Sequence, residues 1–554
     1  MNKKRPRLLF LLFILGFSSG MFSQDFTLEL SSKQNLKNSF LSKINFKKQH
    51  TDTVSIFNEL HRVHNLIKSN GYFLSSIDSL LLNEKKYTAY FDLNKKLDSV
   101  ILKHNNLPAV ISRKYKFHQK KLKIPISGLQ HLLTEISAEF ENKGVSFSKI
   151  KLQNFKIINK TLYTDLFFTS TKERKISKVI IKGYANFPNS FIKNFFNINI
   201  KTIYNKKKLK EISKLSQSLD FAAEIKPPET LFTKDSTYVY MYLKKNNGSS
   251  FDGLINFSSQ ENGKLQFNGY LNLQLKNILN TGESLHLLWN SFGSERQEFS
   301  VSSKTPYIFN SKLTPELSFS IYKQDSTFLN TKFNSNLAYQ IKNNAAFFLS
   351  YTSENSENLI SETATAIKTY NSSFLGFGYH YQILKNDIFK NDAFSLNLTP
   401  SFGKRKSNDI TIHQIKLETT ISYLLTLNER SSIYLKNNTG ILNSENYLKN
   451  ELFRIGGKNS IRGFNEQSIF VEDYILQNIE YRYLTSKDSY IYSITDIALT
   501  SASNNTQKLL GLGFGYLFNT KNAQINISLT NGISDIAKIN LNSTQFFVNW
   551  INFF

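Results

Sequence analysis

Cysteine is missing from all 554 residues, which removes disulfides, thiolate metal sites and cysteine nucleophiles together and leaves the redox compartment open. Tryptophan (2), methionine (3), proline (9) and histidine (9) are scarce. The histidines form no H-x-x-x-H or other metal-ligand grouping, and no Walker sequence occurs. No cofactor, metal or enzymatic chemistry is therefore expected. Past the first residues there is no apolar run of about 18 residues, the length a membrane helix needs. The mean hydropathy of -0.32 agrees, while still permitting strands in which apolar and polar residues alternate.

Aromatic rings are abundant instead. Phe 47 and Tyr 27 bring the aromatic share to 14%, which suits many strands and rings placed at a lipid boundary. The net charge is +27, a value that usually raises the question of nucleic acid. Lysine is spread along the whole chain, however, and Lys206-Lys207-Lys208-Leu209-Lys210 is the one compact group, on a candidate helix. No nucleic-acid partner is expected; anionic lipid headgroups fit the charge better.

The start of the chain reads as an address. Lys3-Lys4-Arg5-Pro6-Arg7 is basic, Leu8 to Phe17 is apolar, and Ser18 to Ser23 is small and polar. Residues 1–23 thus form a cleavable secretory signal, with Gln24 first in the mature chain. Gly16-Phe17-Ser18-Ser19-Gly20 matches a nucleophile elbow but falls inside the signal and is discarded.

Residues 25–245 mix helix and strand in a repeating order. Ile56, Leu60, Val63 and Ile67 form one helical face, closed by Asn70-Gly71 and followed by two short apolar stretches, 77–82 and 87–93. Leu129, Leu132, Leu133, Ile136 and Phe140 form a second face, closed by Lys143-Gly144 and followed by strands over 147–157 and 162–168. A third copy has a strand over 176–183, helices over 188–196 and 206–219, and strands over 221–232 and 237–244. Its β-α-α-β-β order resembles a POTRA domain, with Ile180-Ile181-Lys182-Gly183 at the family's strand end and Tyr204-Asn205, followed by Leu209, at its tyrosine turn. Lys201 stands where that family usually has glycine. The divisions expected are POTRA-like domains over 24–96 and 97–175, a POTRA domain over 176–246, and a barrel over 247–554. Such an arm is either a row of passive spacers or a set of open sheet edges that can add an extended client strand.

From Gly248 onward alternation replaces helical periodicity. Phe267, Gly269, Leu271, Leu273 and Leu275 alternate with Asn268, Tyr270, Asn272, Gln274 and Lys276; Ile415, Leu417, Thr419, Ile421, Tyr423 and Leu425 do the same. Ile475, Gln477, Ile479, Tyr481 and Tyr483 face one way, and Asn478, Glu480 and Arg482 the other. Segments of about 10 residues separated by Asn/Ser/Gly/Asp-rich breaks make an antiparallel transmembrane β-barrel of about 16 strands. Lipid makes closure obligatory, because an open edge leaves backbone groups without partners. The final residues place Phe546, Val548, Trp550, Asn552 and Phe554 on one face, which resembles the C-terminal signal of outer-membrane barrels.

Phe453-Arg454-Ile455-Gly456-Gly457-Lys458-Asn459-Ser460-Ile461-Arg462-Gly463-Phe464 resembles the Gly-Gly…(Val/Ile)-Arg-Gly-(Phe/Tyr) motif of BamA/TamA-type assembly factors, a family with POTRA domains and a bacterial surface antigen-type barrel. Glu480-Tyr481-Arg482, Ile494-Thr495-Asp496-Ile497-Ala498 and Gly511-Leu512-Gly513-Phe514-Gly515 follow in the family's order, with Ala498 where glycine is usual. The resemblance covers residues ~176–554. It implies that Gly456, Gly457, Ile461, Arg462, Gly463 and Phe464 lie on a loop folded into the lumen. There Arg462 would hold Asp496 in a bidentate pair, with Glu480 sharing the network. It also implies a seam between the first strand, Ser250–Ser259 with Gly248 and Gly253 beside it, and the last, Thr544–Phe554.

The function the resemblance implies is ATP-free insertion of unfolded outer-membrane proteins. The partners would be the lipid bilayer, those clients, and a periplasmic TamB-like protein or lipoproteins, with the arm in the periplasm. A two-partner-type secretion pore is the alternative. Against it stand the absence of a Pro-rich linker or plug helix before the arm, and three domains rather than two. A passive channel or surface binding protein would leave the arm without purpose.

Overall fold

The structure is a computed structural model that describes residues 26–33, 38–246, 248–259, 265–292, 296–360, 366–385, 389, 392–503, 505–534 and 544–554. The expected leader over 1–23 lies outside the described residues. Two compact units are present, residues 1–174 and 175–554.

The first unit contains two small α/β folds of one topology. In each, the first strand runs parallel to the last: Phe26–Ser32 beside Lys86–Asp92, and Ser99–His104 beside Thr161–Thr169. The strand before the last packs antiparallel at one edge, Ser76–Asn83 and Lys149–Ile158. Helices Thr53–Ser69 and Leu129–Asn142 cover one face of each sheet. Their buried residues are those of the sequence stripes, Ile56, Leu60, Val63 and Ile67 in one and Leu129, Leu132, Ile136 and Phe140 in the other. The repeated glycines have a specific cause. Gly71 and Gly144 adopt φ of +102° and +78°, the left-handed turn that lets Tyr72 and Val145 donate back to Ile67 and Phe140 and close the helix. The opening strands of both folds had no clear periodic signal, because Phe26–Ser32 and Ser99–His104 are too short to show one.

The second unit begins with a third fold of the same kind. Lys178–Lys182 lies parallel to Thr237–Lys245, with Ala222–Phe232 antiparallel at the edge. Helix Lys206–Gln217 is started by Asn205, whose side chain accepts from the backbone of Lys208 at 2.7 Å, worth about 1 kcal/mol. Tyr204 is buried, its ring 5.0 Å from Phe232. Gly183 has φ +91°, and a Cβ there would lie 2.5 Å from the Leu243 carbonyl, so only glycine fits.

The barrel strands are β1 (Ser250–Ser259), β2 (Leu265–Lys276), β3 (Ser284–Phe292), β4 (Arg296–Lys304), β5 (Leu313–Gln324), β6 (Phe328–Lys342), β7 (Ala345–Asn358) and β8 (Tyr370–Leu384), then β9 (Asp392–Ser407), β10 (Ile410–Thr426), β11 (Ser431–Asn443), β12 (Asp473–Ser486), β13 (Ser489–Ala502), β14 (Asn505–Asn519), β15 (Ala523–Ile533) and β16 (Thr544–Phe553). They close in sequence order into one antiparallel barrel, as the alternating segments predict. Alternation decides the two faces. Phe347, Leu349, Leu375, Phe377, Phe402 and Phe514 are exposed on the outside, while Ser372, Gln414, Asn478, Glu480 and Asp496 are buried within. On the outer face of the terminal strand stand Phe546, Val548, Trp550 and Phe554, all exposed. Among the described residues no helix is long and apolar enough to cross a membrane.

Two turns on the arm side of the barrel carry the third small fold. Asn277 donates to the Tyr184 hydroxyl at 2.6 Å, which donates to Asn280 at 3.1 Å. Phe191 packs edge-on against Tyr307 at 5.0 Å, and Tyr307 is part of that fold's apolar core. Lys276 pairs with Asp220 at 2.8 Å.

Candidate functional site: the lumen loop and its ion network

The segment between β11 and β12, residues 444–472, reaches wall after wall of the barrel. Asn446 and Glu451 bond Arg405 on β9, and Glu451 also accepts from Gln414 on β10 at 3.0 Å. The Asn450 carbonyl accepts from Asn330 on β6 at 2.7 Å, and its amide donates to Ser356 on β7 at 2.6 Å. Arg454 stacks 3.6 Å above the Tyr322 ring on β5. Gln467 bonds Glu298 on β4 at 3.1 Å, and Gln545 on β16 donates to Asn465 at 2.9 Å. One segment touching strands from β4 round to β16 lies inside the barrel.

Its tip is built on glycine. Residues 453–455 and 469–471 form a short antiparallel hairpin, and Gly456 and Gly457 leave it with φ of +113° and +92°. Gly463, φ +89°, lies so close to β15 that a Cβ would sit 2.4 Å from the Gly532 nitrogen. On the wall, a Cβ at Gly511 would meet the Arg462 carbonyl at 2.2 Å, and one at Gly532 the Gly463 carbonyl at 2.3 Å. Loop and wall approach backbone to backbone through glycines on both sides. Ile461, fully buried, joins Ile455, Val471, Leu476, Ala498 and Leu509 in a small apolar cluster, with Phe464 against it. Ala498, where the family resemblance implies glycine, thus contributes its methyl to the packing under the loop.

Above this cluster runs a chain of alternating charges. Arg462 donates from Nε to Asp496 Oδ2 at 2.8 Å and from Nη2 to Oδ1 at 2.7 Å, a bidentate pair, and its backbone N–H adds a third bond to Oδ2 at 2.9 Å. Nη1 donates to Glu480 Oε1 at 2.6 Å. The other Glu480 oxygen accepts from Arg482 Nε at 2.8 Å and Nη2 at 2.7 Å. Arg482 lies 4.2 Å from the Tyr434 ring centroid. Two guanidinia and two carboxylates alternate, so the formal charges cancel. Asp496 is 0% exposed, a burial tolerable for a carboxylate only when its oxygens are filled this way. The four side chains of the arrangement are all engaged with one another, and its bonds run from the loop to β12 and β13.

Gly456, Gly457, Ile461, Arg462, Gly463, Phe464, Glu480 and Asp496 therefore meet at one place, whereas Phe546, Val548, Trp550 and Phe554 lie apart on the outer face of β16. Sequence reasoning missed the anchors of the loop's other half, Arg405–Glu451 and the Asn450 cluster with Asn330, Ser356 and Tyr370. Arg405 sits in Lys404-Arg405-Lys406, where the lysine background hides it. Strand parity was the one usable signal, since it turns Arg405 inward.

The seam between β1 and β16 is the other distinctive feature. Among the described residues the ladder has two register pairs, Ser250↔Phe553 and Phe251↔Asn552. Phe554 donates its backbone N–H to the Ser249 carbonyl at 2.9 Å. One side-chain bridge crosses higher up, from Asn549 to Asp252 Oδ2 at 2.9 Å, and Tyr270 bonds the other Asp252 oxygen at 2.6 Å.

No protein-family model matches the sequence, and no curated protein matches it. Solved structures do. CdiB from Acinetobacter baumannii superposes with a TM-score of 0.51 at 13% identity, over 90% of this chain and 97% of that one. CdiB from Escherichia coli gives 0.51 at 12% identity, over 90% and 98%. BamA from Haemophilus ducreyi lacking POTRA domains 1–3 gives 0.47 at 14%, over 81% and 98%. At these identities the CdiB likeness establishes the fold: small α/β domains followed by a 16-stranded barrel.

Proposed function

We propose that this chain is an outer-membrane protein assembly or translocation factor, working through a POTRA arm and a barrel that opens sideways at β1 and β16. The observation that carries the reading is the seam, where among the described residues two register pairs stand against the unbroken ladder from Phe394↔Tyr423 to Ser407↔Ile410 between β9 and β10. Few ladder bonds make parting the strands inexpensive, and the freed edges offer unpaired backbone groups to an incoming client strand. Residues 24–96, 97–175 and 176–246 are three POTRA-type domains in this reading, held in the periplasm, with residues 247–554 in the outer membrane. The clients are unfolded outer-membrane proteins. A periplasmic TamB-like protein or lipoproteins would assist, and no cofactor or bond chemistry is needed. Gly456, Gly457 and Gly463 let the loop turn in, and Arg462, Asp496 and Glu480 lock it, so that opening is confined to the seam.

The alternative is a two-partner-type secretion pore. The fold shared with CdiB accommodates both readings. The outer-membrane proteome before and after depletion of the protein separates them. A fall in several unrelated barrels supports assembly; unchanged barrels with one soluble protein stranded in the periplasm favours the pore and overturns the first reading.

A further inference from the structure

The two turns that carry the third small fold share an unusual distribution of residues. In the β2–β3 turn, Asn277, Asn280 and Gly282 hold that fold through Tyr184 and Phe191. Between them Ile278 and Leu279 are left 51% and 74% exposed. In the β4–β5 turn, Tyr307 enters the fold's core, and Asn310 accepts from Lys193 and Asn194. Between those two, Phe309 is 93% exposed. In both turns groups flanking the tip face protein, while Ile278, Leu279 and Phe309 at the tips are bare. That is the reverse of a loop facing water.

The backbone is shaped to achieve this. Tyr307, Phe309 and Asn310 all have left-handed φ, of 58°, 52° and 54°, a conformation bulky side chains rarely adopt. This folding of the turn sends Tyr307 inward and leaves Phe309 outside. The β2–β3 turn is fixed by Glu283, whose carboxylate accepts from the backbone of Leu279 at 2.7 Å and of Thr281 at 3.1 Å. The bare side chains are therefore presented by braced turns.

The outer face supplies the reason. On β6 to β9 the arm-side rim carries a belt of rings: Tyr339, Phe347, Tyr379, Tyr381 and Phe394, with Phe347 to Tyr379 at 5.1 Å and Tyr381 to Phe394 at 5.9 Å. Such belts sit at the headgroup level of a bilayer. On β2 to β5 the outward residues near the turns include Leu275, Leu285 and Leu317, and the rings Trp289 and Phe299 pair five residues in from the strand ends. The turns project beyond these residues.

We propose that Ile278, Leu279 and Phe309 form an interfacial anchor dipping into the arm-side lipid leaflet in the sector next to the seam, where the turn tips take the headgroup-level place that the rim rings hold on β6 to β9. Because Tyr307 and Phe309 belong to one turn, the anchor ties the third fold to the membrane surface beside the opening strands. The proposal rests on the membrane-spanning reading of the barrel, and its occupant is phospholipid rather than a second protein.

The test uses the full chain in phospholipid vesicles, with Trp289→Phe and Trp550→Phe as a silent background and Phe309→Trp as reporter. A parallel reporter, Leu349→Trp, stands on the outer face of β7. Vesicles contain lipid brominated near the headgroup end of the acyl chain, or near its methyl end. The expected result is blue-shifted emission from position 309, quenched more by the shallow bromines, and lost shielding from aqueous acrylamide when Leu279→Asp and Ile278→Asp are added. Emission that acrylamide quenches and bromine does not, while position 349 responds to bromine, overturns the anchor and leaves the barrel reading intact. Shielding from both quenchers overturns it in favour of a protein occupant. Failure of position 349 to sense bromine marks failure of the membrane reading itself.

Discussion

The walls on either side of the lumen loop and the seam where the barrel closes are made of the same kind of strand, yet they are held very differently. The β9–β10 ladder runs unbroken from Phe394↔Tyr423 to Ser407↔Ile410. The β1–β16 ladder among the described residues has two pairs and one side-chain bridge. The β12–β13 ladder is reinforced from within by Arg462, which bonds both strands at once through Glu480 and Asp496. A closed barrel needs every strand paired, because lipid offers no substitute partner for a bare N–H or C=O. Here cohesion is concentrated in one wall and withheld from one joint. In the proposed mechanism this pairing of rigidity with weakness directs where the barrel opens.

That contrast can be broken, starting with the largest effect. Cysteines replacing Phe251 and Asn552, which face each other across the seam, should form a disulfide that abolishes client assembly until reductant is added. The same pair at Leu396 and Ile421, facing residues of β9 and β10, should leave assembly intact. Equal activity of the oxidised and reduced seam variant would remove lateral opening from the mechanism.

Arg462→Ala should destabilise the barrel by about 3–5 kcal/mol, because it strands buried Asp496 and leaves Glu480 with one partner. Urea titration of the folded, heat-modifiable band measures this. Arg462→Lys should recover only part of the loss, since an ammonium cannot make the bidentate pair. A cost no larger for Arg462→Ala than for an exposed arginine would show that the network is not what holds the loop.

Gly463→Ala should cost about 1–3 kcal/mol from its left-handed φ, with the clash against Gly532 added. Protease nicking within residues 456–468 would report a displaced loop. Confined to the seam is the effect of Asn549→Ala, which deletes the bridge to Asp252. Seam opening should become easier by about 1.5–3 kcal/mol, the usual worth of a hydrogen bond to a charged group, read as faster cross-linking of β1 to a client strand. No change in that rate would mean the backbone pairs alone hold the seam.

Much of this architecture was legible from residue order. The helix stripes at Ile56–Ile67 and Leu129–Phe140 and their closing glycines repeat because a helix end needs a left-handed residue wherever it occurs. Alternation along Leu271–Leu275 or Ile415–Leu425 follows from the two-residue period of a strand between lipid and lumen. The Arg462–Asp496 pair was legible by resemblance, as an ordered set of motifs. Less visible were the opening strands Phe26–Ser32 and Ser99–His104, which are stabilised by parallel pairing to strands about 60 residues further on and so leave little local mark. Arg405 and Glu451 were hidden for a related reason: a salt bridge between a strand and a distant loop has no sequence spacing of its own.

The sequence by itself determined the class of the striped helices and of the alternating barrel strands, because periodicity, glycine placement and turn chemistry act between neighbouring residues. It determined also that strands alternating in this way must close, since lipid penalises an open edge. Only the tertiary structure decided how tightly each joint is closed, that Arg462 bridges two strands rather than one, that Gly511 and Gly532 are the wall on which the loop lies, and that Tyr307 turns inward while Phe309 is left bare. Those outcomes depend on which surfaces meet across the lumen and beneath the rim, and contacts between residues far apart in the chain are set by the packing of the whole barrel.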